Sequence, residues 1–184
     1  MFFAKKYTPR PEHCKVFSQM FSLIRNEDIK FIADVGSGRT SLYNIEQYFP
    51  NAEIDAIIST PFDERIRLMH KAIKQDNWKV VEKDLSCERL MKQYDLVVAH
   101  LSISRGLDRG DDIDGLKQGL FKVFTKYLLI VEDLNHRGIK SFEIINEAIA
   151  NGYKLIKTVK VGSVSYDSLY KFEGQNDIGY LFEK

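Results

Sequence analysis

Short apolar runs and amphipathic stretches alternate along most of the chain. Runs of consecutive apolar residues are typical of strands buried on both faces, and apolar residues recurring every three or four positions predict helices. The predicted strands cover residues 29–35, 53–59, 78–82, 94–99, 127–131, 153–161 and 178–182. The alternation predicts an α/β fold, with a doubly wound, mostly parallel seven-stranded sheet, helices on both faces and a C-terminal antiparallel hairpin.

The predicted helices differ in how clearly their buried faces are marked. They cover residues 11–26, 40–48, 61–75, 113–123 and 138–151. The first carries the apolar stripe Phe17, Met20, Phe21 and Ile24, and the last carries Ile139, Phe142, Ile145 and Ile149 with Gly152 as its C-terminal cap. The helix at 61–75 follows Thr60 as N-cap. The polar segment 102–114 is predicted to be a solvated loop.

Length and composition indicate one domain spanning residues 1–184, with 1–27 as a helical extension that packs on it. The formal net charge is +1, so charge indicates neither a nucleic-acid partner nor an anionic membrane surface. The cysteines Cys14 and Cys87 have no metal-ligand spacing and are predicted to be reduced, which favours a cytoplasmic protein. No apolar run is long enough to span a membrane. A homo-oligomer is compatible with the sequence.

The most informative segment runs from Phe31 to Ser41. An apolar run ends at Asp34 and crosses the Gly36-Ser37-Gly38 turn into a predicted helix. Glycines permit a sharp turn and a close approach of a ligand, and the N–H groups at a helix start can receive an acceptor. In doubly wound sheets, ligands bind at the carboxyl ends of the strands, where the strand order reverses. The sequence therefore predicts a ligand pocket beside Gly36 and Gly38, between the first and fourth strands.

Three stretches resemble class I S-adenosylmethionine-dependent methyltransferases. They are Asp34-Val-Gly-Ser-Gly-Arg-Thr40, Glu82-Lys-Asp-Leu85 and Tyr94-Asp-Leu-Val-Val-Ala99, and the order of elements matches the family over about residues 28–184. The resemblance implies S-adenosylmethionine as cofactor. It implies that the cofactor is bound by Asp34, Gly36, Ser37, Gly38, Ser59, Asp84 and Leu85. It also places His100 near the transferring methyl group, where a neutral imidazole could act as a general base. A hydrogen-bonded structural histidine is the alternative.

The chain departs from the family pattern at two positions. Thr40 replaces the third glycine of the first motif. Ile58 stands where the family has a carboxylate that accepts both ribose hydroxyls, and isoleucine cannot accept a hydrogen bond. Asp55 lies inside the same strand, and Asp63 has a competing role at the start of the next helix. These departures favour weakened cofactor binding.

Polar residues after the fifth strand form a further cluster, consisting of Glu132, Asp133, Asn135 and His136. Some catechol-type members of the family bind magnesium at comparable strand ends. Because the fourth strand here ends in His100 rather than a carboxylate, we predict no metal site and interpret the cluster as a polar rim around a substrate pocket. The aromatic tail 161–179 is interpreted as a lid, a substrate wall or a dimer contact.

The leading hypothesis is an enzyme that transfers a methyl group from S-adenosylmethionine to an unidentified substrate, with a small molecule as the expected acceptor. The alternative is a non-catalytic binding or scaffolding protein that kept the fold and lost a competent cofactor site. A nucleotide-dependent oxidoreductase is a third reading, which the acidic Asp34 and the final hairpin disfavour.

Overall fold

A computed structural model describes residues 11–59, 77–133, 140–160 and 177–184. The five described helices are α1 (Pro11–Ile24), α2 (Arg39–Tyr48), α3 (Ser102–Arg109), α4 (Ile113–Phe121) and α5 (Ser141–Ala150). The strands are β1 (Phe31–Val35), β2 (Glu53–Ile58), β3 (Trp78–Glu82), β4 (Tyr94–His100), β5 (Thr125–Asp133), β6 (Lys154–Lys160) and β7 (Asp177–Glu183). The predicted helix 61–75, its cap Thr60 and most of the tail 161–179 lie outside the described residues.

The seven strands form one mixed sheet in the order β3-β2-β1-β4-β5-β7-β6. Strands β1 to β5 are parallel, whereas β7 runs antiparallel to both β5 and β6. The predicted fold class is therefore confirmed, including the C-terminal antiparallel pair. The strand order reverses between β1 and β4, so the loops that follow these two strands diverge to opposite faces and leave a crevice at their carboxyl ends.

Helices cover both faces of the sheet. On one face, α1 and α2 pack against strand residues such as Leu96 and Val98, and the predicted stripe of α1 is at most 2% exposed. Residues of α4 and α5 pack against the opposite face. Helix α1 lies close to β7, since a Cβ atom at Gly179 would collide with the Val16 side chain. The strands are buried on both faces because helices cover both sides of the sheet. This burial explains the runs of consecutive apolar residues in the sequence.

The prediction of a loop over residues 102–114 is wrong in its first part, because residues 102–109 form helix α3. This segment spans only about two helical turns, contains Gly106 and has just two large apolar residues, Ile103 and Leu107, four positions apart. Its glycine permits close packing on the next helix, since a Cβ at Gly106 would lie 3.0 Å from Ile113 and 3.2 Å from Leu116. Asp112 then caps α4 by accepting a hydrogen bond from the Gly115 amide (3.0 Å). The helix is short and contains a glycine, and its packing on α4 is a tertiary contact that the sequence does not show.

The buried stripe predicted for the last helix is confirmed at Ile145, which packs against the core, and is wrong at Phe142 and Ile149, whereas Ile139 lies outside the described residues. Ile144 and Ala148 are the buried residues of α5, whereas Phe142 and Ile149 are 56% and 55% exposed. The buried face of the helix is therefore centred on Ile144 and Ala148, which belong to the same core cluster as the aromatic residues Tyr180 and Phe182 of β7. The predicted cap is confirmed, because Gly152 has a left-handed φ of +88° just after the helix.

Candidate functional site

The two glycines of the β1–α2 turn have different backbone conformations. Gly36 has a φ of +66°, a conformation that favours glycine. Gly38 is the N-cap of α2 and has an extended backbone with φ −149°, which any residue can adopt. The conformation therefore requires glycine at position 36, whereas the reason for glycine at position 38 is not backbone strain.

A buried carboxylate holds this turn in place. Asp34, the next-to-last residue of β1, has no exposed surface, and its Oδ2 accepts hydrogen bonds from Ser37 Oγ (2.6 Å) and Ser41 Oγ (2.7 Å). The Ser37 amide donates to the Ile57 carbonyl of β2 (3.1 Å). Thr40, in place of the expected third glycine, is also buried in the first turn of α2. Asp34 and Ser37 therefore stabilise the turn from the protein interior, because both side chains are fully buried.

The start of α3 packs directly on the same turn. Ser102 Oγ donates to the Val35 carbonyl (2.7 Å), and a Cβ at Gly36 would lie only 2.6 Å from Ser102 Oγ. The preceding residue, Leu101, has a left-handed φ of 56°, which is rare for a side chain branched at Cγ. The ends of β1 and β4 are thus joined by contact between two tightly constrained turns.

Glu132 anchors the start of α3. Its side chain is fully buried at the end of β5. Its Oε1 accepts a hydrogen bond from the Ile103 amide (2.7 Å), and its Oε2 accepts from the Ser104 amide (3.2 Å) and hydroxyl (2.8 Å). The predicted placement of Glu132 in a polar substrate rim is therefore wrong. Strand β5 extends two residues further than predicted, which buries this carboxylate against a helix N-terminus.

Asp84 and Leu85 lie in the loop after β3. Asp84 is half-buried, and its Oδ1 accepts from the Ser86 amide (2.9 Å) and hydroxyl (2.7 Å). Leu85 is 4% exposed. Helix α4 presses on this loop through two glycines four residues apart, because Cβ atoms at Gly115 and Gly119 would collide with the backbone carbonyls of Ser86 and Leu85. The loop is therefore fixed by backbone contact with α4.

His100 is the last residue of β4 and is 3% exposed. Its Nε2 lies 2.6 Å from Nδ1 of His13, a buried residue of α1, and its ring also contacts Phe17 edge-on. A hydrogen bond between two imidazole nitrogens needs one donor and one acceptor, so the contact holds a single proton. This contact gives His100 a structural partner, and its catalytic role stays a prediction.

The end of β2 lacks an acidic residue in the described part of the chain. Ile58 is 1% exposed, and Ser59 is half-buried. Asp55 lies further back in the strand and accepts hydrogen bonds from Tyr94 (2.9 Å) and Lys92 (3.1 Å). Burial and the hydrogen bond to Asp55 raise the pKa of Tyr94. Asp55 is therefore engaged with β4 rather than with the carboxyl end of the sheet. In the described residues, no group of three or more His, Cys, Asp or Glu side chains could hold a metal ion.

Comparisons with known proteins identify the fold. No protein-family model matches the sequence, and a search of curated proteins gives no match. Three similar solved structures are methyltransferases. The N-methyltransferase NodS from Bradyrhizobium japonicum WM9, in complex with S-adenosyl-L-homocysteine, has a TM-score of 0.69 at 12% identity, covering 95% of this chain and 88% of NodS. Precorrin-6y C5,15-methyltransferase from Geobacter metallireducens GS-15 has a TM-score of 0.60 at 19% identity, covering 98% and 95%.

The third is an rRNA methylase from Escherichia coli, with a TM-score of 0.58 at 14% identity, covering 94% of this chain and 63% of that protein. The fold is that of the class I S-adenosylmethionine-dependent methyltransferases. At these identities the likeness concerns the fold. None of the described helices is sufficiently long and apolar to cross a membrane.

Proposed function

We propose that this protein is a methyltransferase that uses S-adenosylmethionine. The observation that carries the proposal is the turn at Gly36, which adopts a left-handed conformation at the strand-order reversal between β1 and β4. The fold and the buried Asp34 beneath the turn support it. The solved structure of NodS, which shares the fold, contains the demethylated cofactor.

The residues around the reversal point fit the cofactor in most respects. Gly36, Ser37 and Gly38 would form the loop beside its amino-acid part, with Asp34 keeping the loop closed. In the loop that α4 contacts, Asp84 would accept a hydrogen bond from the adenine amino group, and Leu85 would cover the adenine ring. Ser59 would lie near the ribose. When bound, the cofactor supplies a sulfonium methyl group, and the protein's main task is to place this group in line with an acceptor.

The acceptor is proposed only as a class. Proteins that share the fold include methylases of small molecules and of rRNA. The net charge of +1 favours a small molecule over a nucleic acid, and a cytoplasmic setting stays a prediction. In this proposal His100 acts as the general base, with His13 fixing its ring.

Calorimetric titration with S-adenosylmethionine, S-adenosylhomocysteine and NAD tests the cofactor. We expect saturable binding of the first two and none of NAD. The variant Gly38→Val keeps a backbone conformation that valine can adopt, so we expect it to fold and to lose binding. Binding of NAD alone would overturn the proposal, and unchanged S-adenosylmethionine binding in Gly38→Val would overturn the placement of the cofactor beside this turn.

The second candidate is a binding or scaffolding protein without catalysis. The buried Ile58 favours it, because the described residues at the end of β2, Ile58 and Ser59, include no charged partner for a ribose. A folded protein that binds neither cofactor form at millimolar concentration would select this candidate.

A further inference from the structure

Glu132 is a fully buried carboxylate with three neutral donors. It accepts from the amides of Ile103 and Ser104 and from the Ser104 hydroxyl, at distances of 2.7, 3.2 and 2.8 Å. Both carboxylate oxygens act as acceptors of N–H groups, which suits the ionised form. These donors belong to the first turn of α3, so the charge compensates the positive end of that helix.

The same contacts fix the backbone between β4 and α3. The Leu101 amide donates to the Val131 carbonyl (2.7 Å), next to Glu132 in β5. Leu101 itself has the left-handed φ of 56°. A leucine keeps this conformation only where the flanking structure determines it, and here the bonds to β5 lie on both sides of the turn.

The turn at Leu101 contacts the glycine turn that follows β1. Ser102 follows Leu101, and its hydroxyl donates to the Val35 carbonyl while occupying the space next to Gly36. A shift of the α3 start would move Ser102 and release the Gly36 turn. Contact is therefore continuous from Glu132, through Ser102, to Gly36.

We propose that Glu132 is a positioning residue for the cofactor turn, acting through the first turn of α3 on Ser102 and Gly36. The proposal deepens the methyltransferase function and rests on it for its effect on binding. Glu132 does not need to touch the cofactor. Its removal would loosen the turn that the cofactor contacts.

The first test compares Glu132→Gln with a matched control. Glutamine keeps the shape, but its NH2 group replaces one of the two carboxylate oxygens and so places a donor against either the Ile103 amide or the Ser104 donors. Asp55→Asn changes another buried, hydrogen-bonded carboxylate, whose partners Tyr94 and Lys92 belong neither to the Gly36 turn nor to the start of α3. We expect Glu132→Gln to weaken S-adenosylhomocysteine binding by about two- to thirty-fold at a temperature where the protein is folded. We expect Asp55→Asn to lower the melting temperature and leave binding unchanged.

Two further measurements keep the test decisive. If Glu132→Gln does not fold, Ser104→Ala removes one donor to the same carboxylate and should weaken binding in the same direction by a smaller factor. Hydrogen exchange of the amides at 36–41 needs no cofactor, and we expect it to accelerate in Glu132→Gln but not in Asp55→Asn.

The outcomes separate the two proposals. Wild-type protein that binds no cofactor would overturn the methyltransferase function, and exchange at 36–41 would still decide the role of Glu132. Unchanged binding and unchanged exchange in both Glu132→Gln and Ser104→Ala would overturn the positioning role. Equal loosening by Asp55→Asn would also overturn it, because the effect would then be one of general stability.

Discussion

The two ends of the parallel strands hold their carboxylates in different ways. At the carboxyl end, Asp34 and Glu132 are fully buried and accept hydrogen bonds from serines and from amides at a helix start. Toward the amino end, Asp55 binds Tyr94 and Lys92 of the β4 region. Asp95 accepts from the amides of Lys30 and Phe31, at 2.8 and 2.9 Å.

The difference lies in what each carboxylate connects. Near the amino end, the bonds join strands to one another or to the start of β1, and so they stabilise the sheet. At the carboxyl end they join strands to turns, two of which contain left-handed residues, Gly36 and Leu101. Changes at the amino end should therefore alter stability alone, whereas changes at the carboxyl end should alter stability and ligand binding together.

The largest effect is expected from a new carboxylate at the carboxyl end. Ile58 is buried, so Ile58→Asp would leave an unpaired charge and reduce the free energy of unfolding by about 3–5 kcal/mol, measured by urea denaturation.

Ser59 is half-buried, and Ser59→Asp should be tolerated. Charge-assisted bonds to a ribose, at about 1.5–3 kcal/mol, would then tighten S-adenosylmethionine binding by about one to two orders of magnitude. A folded Ser59→Asp with unchanged affinity would place the ribose elsewhere.

A pair of isosteric changes compares the two ends directly. Asp34→Asn and Asp55→Asn should each lower the free energy of unfolding by about 1.5–3 kcal/mol, because each weakens hydrogen bonds to a buried charge. Only Asp34→Asn should also weaken S-adenosylhomocysteine binding in calorimetry. Equal affinities in the two variants would contradict the division between the ends.

Two glycines with left-handed backbones give a finer comparison. Gly36→Ala and Gly152→Ala should each cost about 1–2 kcal/mol in thermal or chemical unfolding, because both introduce a side chain at positive φ. At Gly152 the nearest atom to a new Cβ is Lys184 Cε at 3.7 Å, an ordinary contact. At Gly36 the new Cβ displaces Ser102 from Val35, so this variant alone should lose cofactor affinity. Retained affinity in Gly36→Ala would argue that the turn does not contact the cofactor.

The smallest effect concerns Glu46 in α2, beyond the cofactor turn. Burial raises its pKa above 4.5, and its Oε1 has no hydrogen-bond partner in the described structure. The folded state holds the proton to higher pH than the unfolded state, so stability falls as pH rises from about 4.5 through the folded pKa. Glu46→Gln should flatten this slope and raise the melting temperature slightly at neutral pH. A wild-type slope in Glu46→Gln would assign the pH dependence to other groups.

The sequence predicted the elements whose signal is local. Runs such as Leu96–Ala99 and the stripe of α1 were found because burial on both faces, or on one helical face, leaves a regular apolar period. The glycine turn was found because Gly36 marks a backbone conformation that few other residues adopt. The order of these elements was sufficient to predict the sheet, and ligand binding at the carboxyl ends of its strands stays a prediction from that order.

Only the tertiary structure decided where the polar groups act. Helix α3 is only eight residues long, and the amides of its first turn donate to Glu132, a residue 28 or more positions away in the chain. The partnership of His13 with His100 and the close approach of Gly119 to the Leu85 backbone likewise join distant residues. Hydrogen bonds and close contacts depend on distance in space, which a local pattern does not encode. The sequence therefore determined the sheet and the glycine turn after β1, whereas the folded chain decided which groups the buried carboxylates Asp34 and Glu132 contact.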